Sequence, residues 1–90
     1  TFLEDPQALP LELLPAMRTQ LGACLTDAGE LEAAEEALRA AVKEFEALFG
    51  LEGAYAIEPR THLALLFERR GELAEAEAEA RAALALAVAH

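Results

Sequence analysis

The sequence predicts an all-α fold in which two helix-turn-helix repeats stack as a short α-solenoid of four main helices. Three observations carry this expectation. The stretch Gly29–Ala41 recurs in looser form as Gly71–Ala83, an offset of 42 residues that falls in the range of helical-pair repeats. Ala, at 22 residues, dominates with Leu, Glu and Arg, while Trp, Ser and Asn are absent and β-branched residues are few. Apolar residues also return every three or four positions through four segments, which is the period of a helix with one buried face.

Sliding residues 15–48 onto 57–90 pairs Arg18 with Arg60, Thr19 with Thr61, Leu21 with Leu63, Leu31 with Leu73, Glu35 with Glu77 and Arg39 with Arg81. This divides the chain into a first repeat over 11–50, a second over 51–90, and a lead-in over 1–10. The lead-in carries Pro6 and Pro10 and is expected to be irregular, or the remnant of a preceding repeat, since each Pro turns its predecessor away from helix.

The first helix is expected over Leu11–Ala28, with an apolar stripe of Leu14, Met17 or Arg18, Leu21, Cys24 or Leu25, and Ala28. Pro15 is tolerated because it falls in the first turn. Gly29 follows the last periodic residue, where a left-handed C-terminal cap is least costly for glycine. The second helix, Glu30–Phe49, has the clearest stripe: Leu31, Ala34, Leu38, Ala41, Val42, Phe45, Leu48 and Phe49. Its Glu35 faces Arg39 at i,i+4, an arrangement kept as Glu77 and Arg81. Gly50 and Gly53 bound a connection to about Ile57, in which Tyr55 is expected to pack beside Phe49 over the junction of the repeats. A third helix follows over Glu58–Arg70, with Pro59 in its first turn and Leu63, Leu66 and Phe67 on its apolar face. Gly71 repeats the cap. The fourth helix, Glu72–Ala89, carries a stripe of Leu73, Ala76, Ala80, Ala83, Leu84, Ala87 and Val88.

Composition narrows the function. The net charge of −10 argues against nucleic acid, whose phosphates require clustered Lys and Arg, and equally against anionic membrane surfaces. No uninterrupted apolar run reaches the roughly 18 residues of a membrane span, and no charged-then-apolar signal segment opens the chain. The lone Cys24 forms no internal disulfide, so a soluble, cytoplasmic setting is expected, and mid-helix without an activating base it reads as a small packed residue. His62 has no second ligand at i±4, so no metal or other cofactor is expected. Neither a phosphate loop, a nucleophile elbow nor a catalytic carboxylate pair appears, so the chain does not read as an enzyme. The Glu residues at 72, 75, 77 and 79 circle a helix and read as a solvated face.

The run Leu63-Ala64-Leu65-Leu66-Phe67-Glu68-Arg69-Arg70-Gly71-Glu72-Leu73-Ala74-Glu75-Ala76 resembles a tetratricopeptide repeat. Leu63, Ala64, Phe67, Gly71, Ala76 and Ala83 occupy that family's large, small, aromatic, glycine and small positions, and Leu21, Gly22, Leu25, Gly29, Ala34 and Ala41 do so in the first copy. Leu25 stands where the family has an aromatic residue, Ala80 where it has a larger one, and Arg18 and Arg60 replace its early Trp. The 42-residue spacing is similar to the long-helix subclass typified by kinesin light chain.

The resemblance implies a protein-interaction module whose first helices line a concave groove for a peptide or helix. Carried onto this chain, the groove-facing candidates are Ala16, Thr19, Gln20, Ala23, Thr26 and Asp27, with Glu58, Thr61, His62, Leu65, Glu68 and Arg69 from the second copy. Thr19-Gln20 and Thr61-His62 stand where the light-chain subclass often has paired Asn. The partner is therefore expected to be a protein or peptide.

Two repeats are fewer than the roughly three that such stacks usually need, and Ala82–Ala89 is apolar nearly all round. An alternative is a structural segment that associates with itself through Leu84, Leu86 and Val88, giving a homo-oligomer. A further alternative is the relay or effector part of a larger bacterial regulator.

Overall fold

A computed structural model describes residues 10–51 and 53–89. Of the lead-in expected over residues 1–10, residues 1–9 lie outside them. Four helices follow one another: α1 (Leu13–Asp27), α2 (Leu31–Phe49), α3 (Ile57–Arg69) and α4 (Leu73–Ala89), with one 3-10 turn at Ala54–Ala56 before α3. The described residues contain no strand. The α1–α2 and α3–α4 pairs are two helical hairpins, and α3 packs across both members of the first. Element bounds agree with the sequence expectations to within a residue or two.

The two hairpin turns are built alike. Gly29 takes φ 85° and Gly71 φ 77°, the left-handed region where a Cβ would be strained. In the first turn Glu30 N–H donates to the Leu25 carbonyl (2.9 Å) and Gly29 N–H to that of Thr26 (3.1 Å). In the second, Glu72 N–H donates to the Phe67 carbonyl (2.9 Å) and Gly71 N–H to that of Glu68 (3.0 Å). This pairing closes a helix end by satisfying carbonyls that have no partner further along the helix.

The core lies at the junction of the hairpins. Ala34, Leu38 and Val42 of α2 meet Leu63, Leu66 and Phe67 of α3, with Leu25, Leu31 and Ala76 packed at the margin. A small residue brings two helices together at Gly22. A Cβ there would lie 2.5 Å from Leu38 Cγ, so α1 and α2 touch through a backbone that only glycine leaves bare. The guanidinium carbons of Arg39 and Arg70 lie 5.5 and 5.3 Å from the centre of the Phe67 ring, close enough for cation–π attraction.

Ion pairs fasten the second hairpin to the first. Arg60 reaches Glu46 of α2 and Glu79 of α4, each at 2.9 Å. Arg70 reaches Glu35 of α2 at 2.6 Å and Glu72 at 3.3 Å. Glu35 also accepts from Arg39 at 2.7 Å, and these two guanidinium hydrogen bonds hold its carboxyl below the ordinary carboxylate range. The exposed i,i+4 pair of Arg81 and Glu77 closes at 2.9 Å.

Four sequence expectations fail. In α1 the buried residues are Pro15, Thr19, Gly22 and Thr26, one position off the apolar stripe, while Leu14, Met17, Leu21 and Cys24 are exposed. The threonines are tolerated inside because Thr19 Oγ1 donates to the Pro15 carbonyl (2.9 Å) and Thr26 Oγ1 to that of Gly22 (2.8 Å), leaving neither hydroxyl unpaired. In α4 only Ala83 of the expected stripe is buried, and Leu73, Leu84 and Val88 face outward because nothing among the described residues packs on that side. Leu48 and Phe49 at the end of α2 are also exposed. The Glu face of α4 is not wholly solvated either, since Glu79 is half-buried against Arg60.

Candidate functional site

The site residues divide between two surfaces. The first is the face where α1 lies beside α3. Contacts run in step along the two helices: Gln20 Nε2 donates to Glu58 Oε1 at 3.2 Å, and Arg69 donates to the Thr26 carbonyl. The helices are therefore parallel, and the furrow between them is deepened at each end.

At the N-terminal end is a hollow of about 570 Å³, walled by Glu12, Ala16, Thr19 and Gln20 on one side and by Ala54, Tyr55, Ile57 and Glu58 on the other, with Phe45 of α2 also lining it. The lining is mainly apolar carbon, and the two carboxylates, Glu12 and Glu58, are its acidic groups. The 3-10 turn positions Tyr55, whose ring stacks on Phe49 at 4.4 Å and on Phe45 at 5.4 Å between centroids. Tyr55 thus packs over the repeat junction as its place beside Phe49 suggested, and it adds an aromatic wall to the hollow.

At the C-terminal end a smaller hollow of about 280 Å³ is lined by Ala23, Thr26 and Asp27 of α1 and by His62, Leu65, Glu68 and Arg69 of α3. Between the two lies the Gln20–Glu58 contact, with His62 Nε2 3.9 Å from Glu58 Oε1.

Most of the groove residues expected from the sequence come together here: Gln20, Ala23, Thr26, His62, Leu65, Glu68 and Arg69, with Ala16, Asp27 and Glu58 beside them. Their roles differ from the expectation at two threonines. Thr19 and Thr26 line the hollows but are buried, with their hydroxyls spent on their own helix. Arg69 is a strut between α3 and the last turn of α1, its guanidinium held at a carbonyl where cations complement the helix dipole.

Thr61 is a clearer correction. It lies on the other flank of α3, in a channel of about 320 Å³ shared with Ile57, Ala64, Ala80, Ala83, Leu84 and Ala87. Its hydroxyl donates to the Ile57 carbonyl at 2.8 Å, which turns it along its own helix. Of the residues expected to mediate self-association, Leu84 lines this channel, Val88 is exposed and Leu86 is half-buried.

Phe45, Ala54, Tyr55, Ile57 and Glu12 were not among the groove residues read from the sequence. Tyr55, the chain's single Tyr in a short connection after Phe49, was the available signal, but its contribution needs α1 folded back beside the turn. Among the described residues no three His, Cys, Asp or Glu side chains are placed to hold a metal ion, and no helix is long and apolar enough to cross a membrane. No protein-family model, curated protein or solved structure matches the chain.

Proposed function

We propose that the chain is a protein-interaction module, two tetratricopeptide-like repeats whose first helices offer a short groove to a peptide or helix of a partner protein. The observation that carries this reading is the pair of hollows set in line along parallel α1 and α3, where equivalent positions of the two repeats converge on one furrow. The larger hollow suits a bulky apolar side chain, which would bury itself against Ala16, Ile57 and the stacked Tyr55. The carboxylates of Glu12 and Glu58 on its lining, together with a net charge of −10, favour a partner that places Lys or Arg next to that anchor. Binding in this reading needs no cofactor and performs no chemistry, and its setting is the cytoplasm, where the unpaired Cys24 is at home.

The test is fluorescence anisotropy with two labelled peptides that share a central Trp, one flanked by Lys and Arg and one by Glu. The basic peptide is expected to bind roughly tenfold more tightly, with the preference shrinking as salt is added. Tyr55→Ala should weaken it about tenfold, a loss of ~1.4 kcal/mol. Equal binding of both peptides, or no response to Tyr55→Ala, would rule the groove out as the binding surface.

A further inference from the structure

We infer that copies of this chain stack head to tail, the outer ridge of α1 in one copy seating in the open channel between α3 and α4 of the next. The inference rests on the 42-residue offset and on a joint already present inside the molecule. It is independent of the peptide groove, with whose hollows the channel shares only Ile57.

Inside the chain, the α3 ridge of Pro59, Leu63 and Leu66 is buried against the first hairpin. In the seat on the first hairpin Leu38 and Val42 pack against Leu63 and Leu66, and Thr19, Gly22, Ala41 and Phe45 of the same hairpin are also buried. Moved on by 42 residues, those positions become Ala80, Leu84, Thr61, Ala64, Ala83 and Ala87. They all line the open channel. The channel is thus the same seat, unfilled. The ridge that would fill it also exists twice. Ala56 in the 3-10 turn and Pro59, Leu63 and Leu66 on α3 correspond to Leu14, Met17, Leu21 and Cys24 on α1, and these last four are exposed.

Volumes change in compensating directions. The empty seat has lost bulk where Leu38 becomes Ala80 and Phe45 becomes Ala87. The outer ridge has gained it where Ala56 corresponds to Leu14 and Pro59 to Met17. A wider seat facing a thicker ridge is what close packing of the two requires. A second copy is the occupant because both halves of the joint belong to this chain and their counterparts already pack together in it.

The joint between copies differs from the internal one in its charges. Arg60–Glu46 and Arg70–Glu35 become Arg18 beside Val88 and Ala28 beside Glu77, so neither ion pair is rebuilt. The contact is therefore apolar and works against the repulsion of two chains that each carry −10. Added salt screens that repulsion and should strengthen stacking, opposite to its effect on an ion-paired interface. The two faces are different surfaces, so the contact does not close on itself and growth proceeds as a ladder.

The test uses sedimentation velocity on the 90-residue chain and on Met17→Glu and Leu84→Glu. Both side chains are mostly exposed in the single copy, so helicity by circular dichroism should be unchanged in either variant. The native chain should show dimers, trimers and higher species growing from about 1 μM to about 1 mM, more so at high salt. Each variant alone should stay monomeric, since each has lost one of the two faces. An equimolar mixture should form a dimer and nothing larger, because one intact ridge then meets one intact channel. A native chain that stays monomeric throughout would overturn the inference. So would a dimer that survives Met17→Glu, which would point to two α4 faces meeting each other.

Discussion

The two hairpins share a sequence pattern, yet their equivalent residues have opposite fates. Val42 is 6% exposed and its counterpart Leu84 is 63% exposed. Leu21 is 53% exposed and its counterpart Leu63 only 1%. The inner faces, on α2 and α3, have each other, whereas the outer faces, on α1 and α4, have no neighbour among the described residues of the single copy. Periodicity therefore says which side of a helix is apolar, and stacking decides whether that side is buried. The central claim is that one inter-repeat joint is filled and an equivalent one is open.

The largest effect that separates the hairpins should come from truncating the filled seat. Leu38→Ala empties a side chain with no exposure and should cost about 2–5 kcal/mol, whereas Leu84→Ala in the monomer should fall within about 0.5 kcal/mol. Urea unfolding at low protein concentration measures both, and similar losses would break the comparison.

Gly22→Ala comes next. The new methyl meets Leu38 Cγ and should cost about 1–3 kcal/mol. The second hairpin already carries Ala at the matching position 64 without burying it fully. A stabilised Gly22→Ala variant would show that α1 does not approach α2 this closely.

Acid should reveal a smaller difference. The folded-state pKa of Glu35 is lowered, first by its hydrogen bond to Arg39 and then by that to Arg70. Its contribution is complete above its ordinary pKa of 4.5 and is lost as pH falls through the lower folded value. As pH falls below that ordinary value the native chain should lose stability faster than Glu35→Gln, read from urea midpoints. Parallel pH curves would mean that the Arg70–Glu35 joint does not form. The exposed counterpart Glu77, paired only with Arg81, should matter least, with Glu77→Gln costing about 0.5 kcal/mol or less.

The helices, both glycine turns and the α2–α3 core were legible from the sequence because they depend on residues close in the chain or on an unambiguous stripe. Leu38, Val42, Leu63 and Phe67 lie where their spacing put them. The register of α1 was not legible. Its apolar residues belong to the outer face, and its buried face is made of Thr19, Gly22 and Thr26, whose fitness for burial depends on hydroxyls bonded back to carbonyls. The furrow between α1 and α3 was legible at Gln20, Ala23, His62 and Leu65, which follow from helix phase. Tyr55 and Phe45 were missed as groove residues because they enter from a turn and from a second helix. Thr61 was misplaced because α3 has a neighbour on one flank and an empty channel on the other, a distinction its own residues do not encode.

Amide hydrogen exchange at two protein concentrations tests the central claim most directly. At low concentration the amides of Leu38–Phe45 in α2 should exchange only by global unfolding, and those of Ala80–Ala87 in α4 through smaller openings, at least about tenfold faster. At high concentration, protection in α4 should rise toward that of α2 as neighbouring copies cover the channel. Equal protection of the two helices at low concentration would contradict a filled joint beside an empty one.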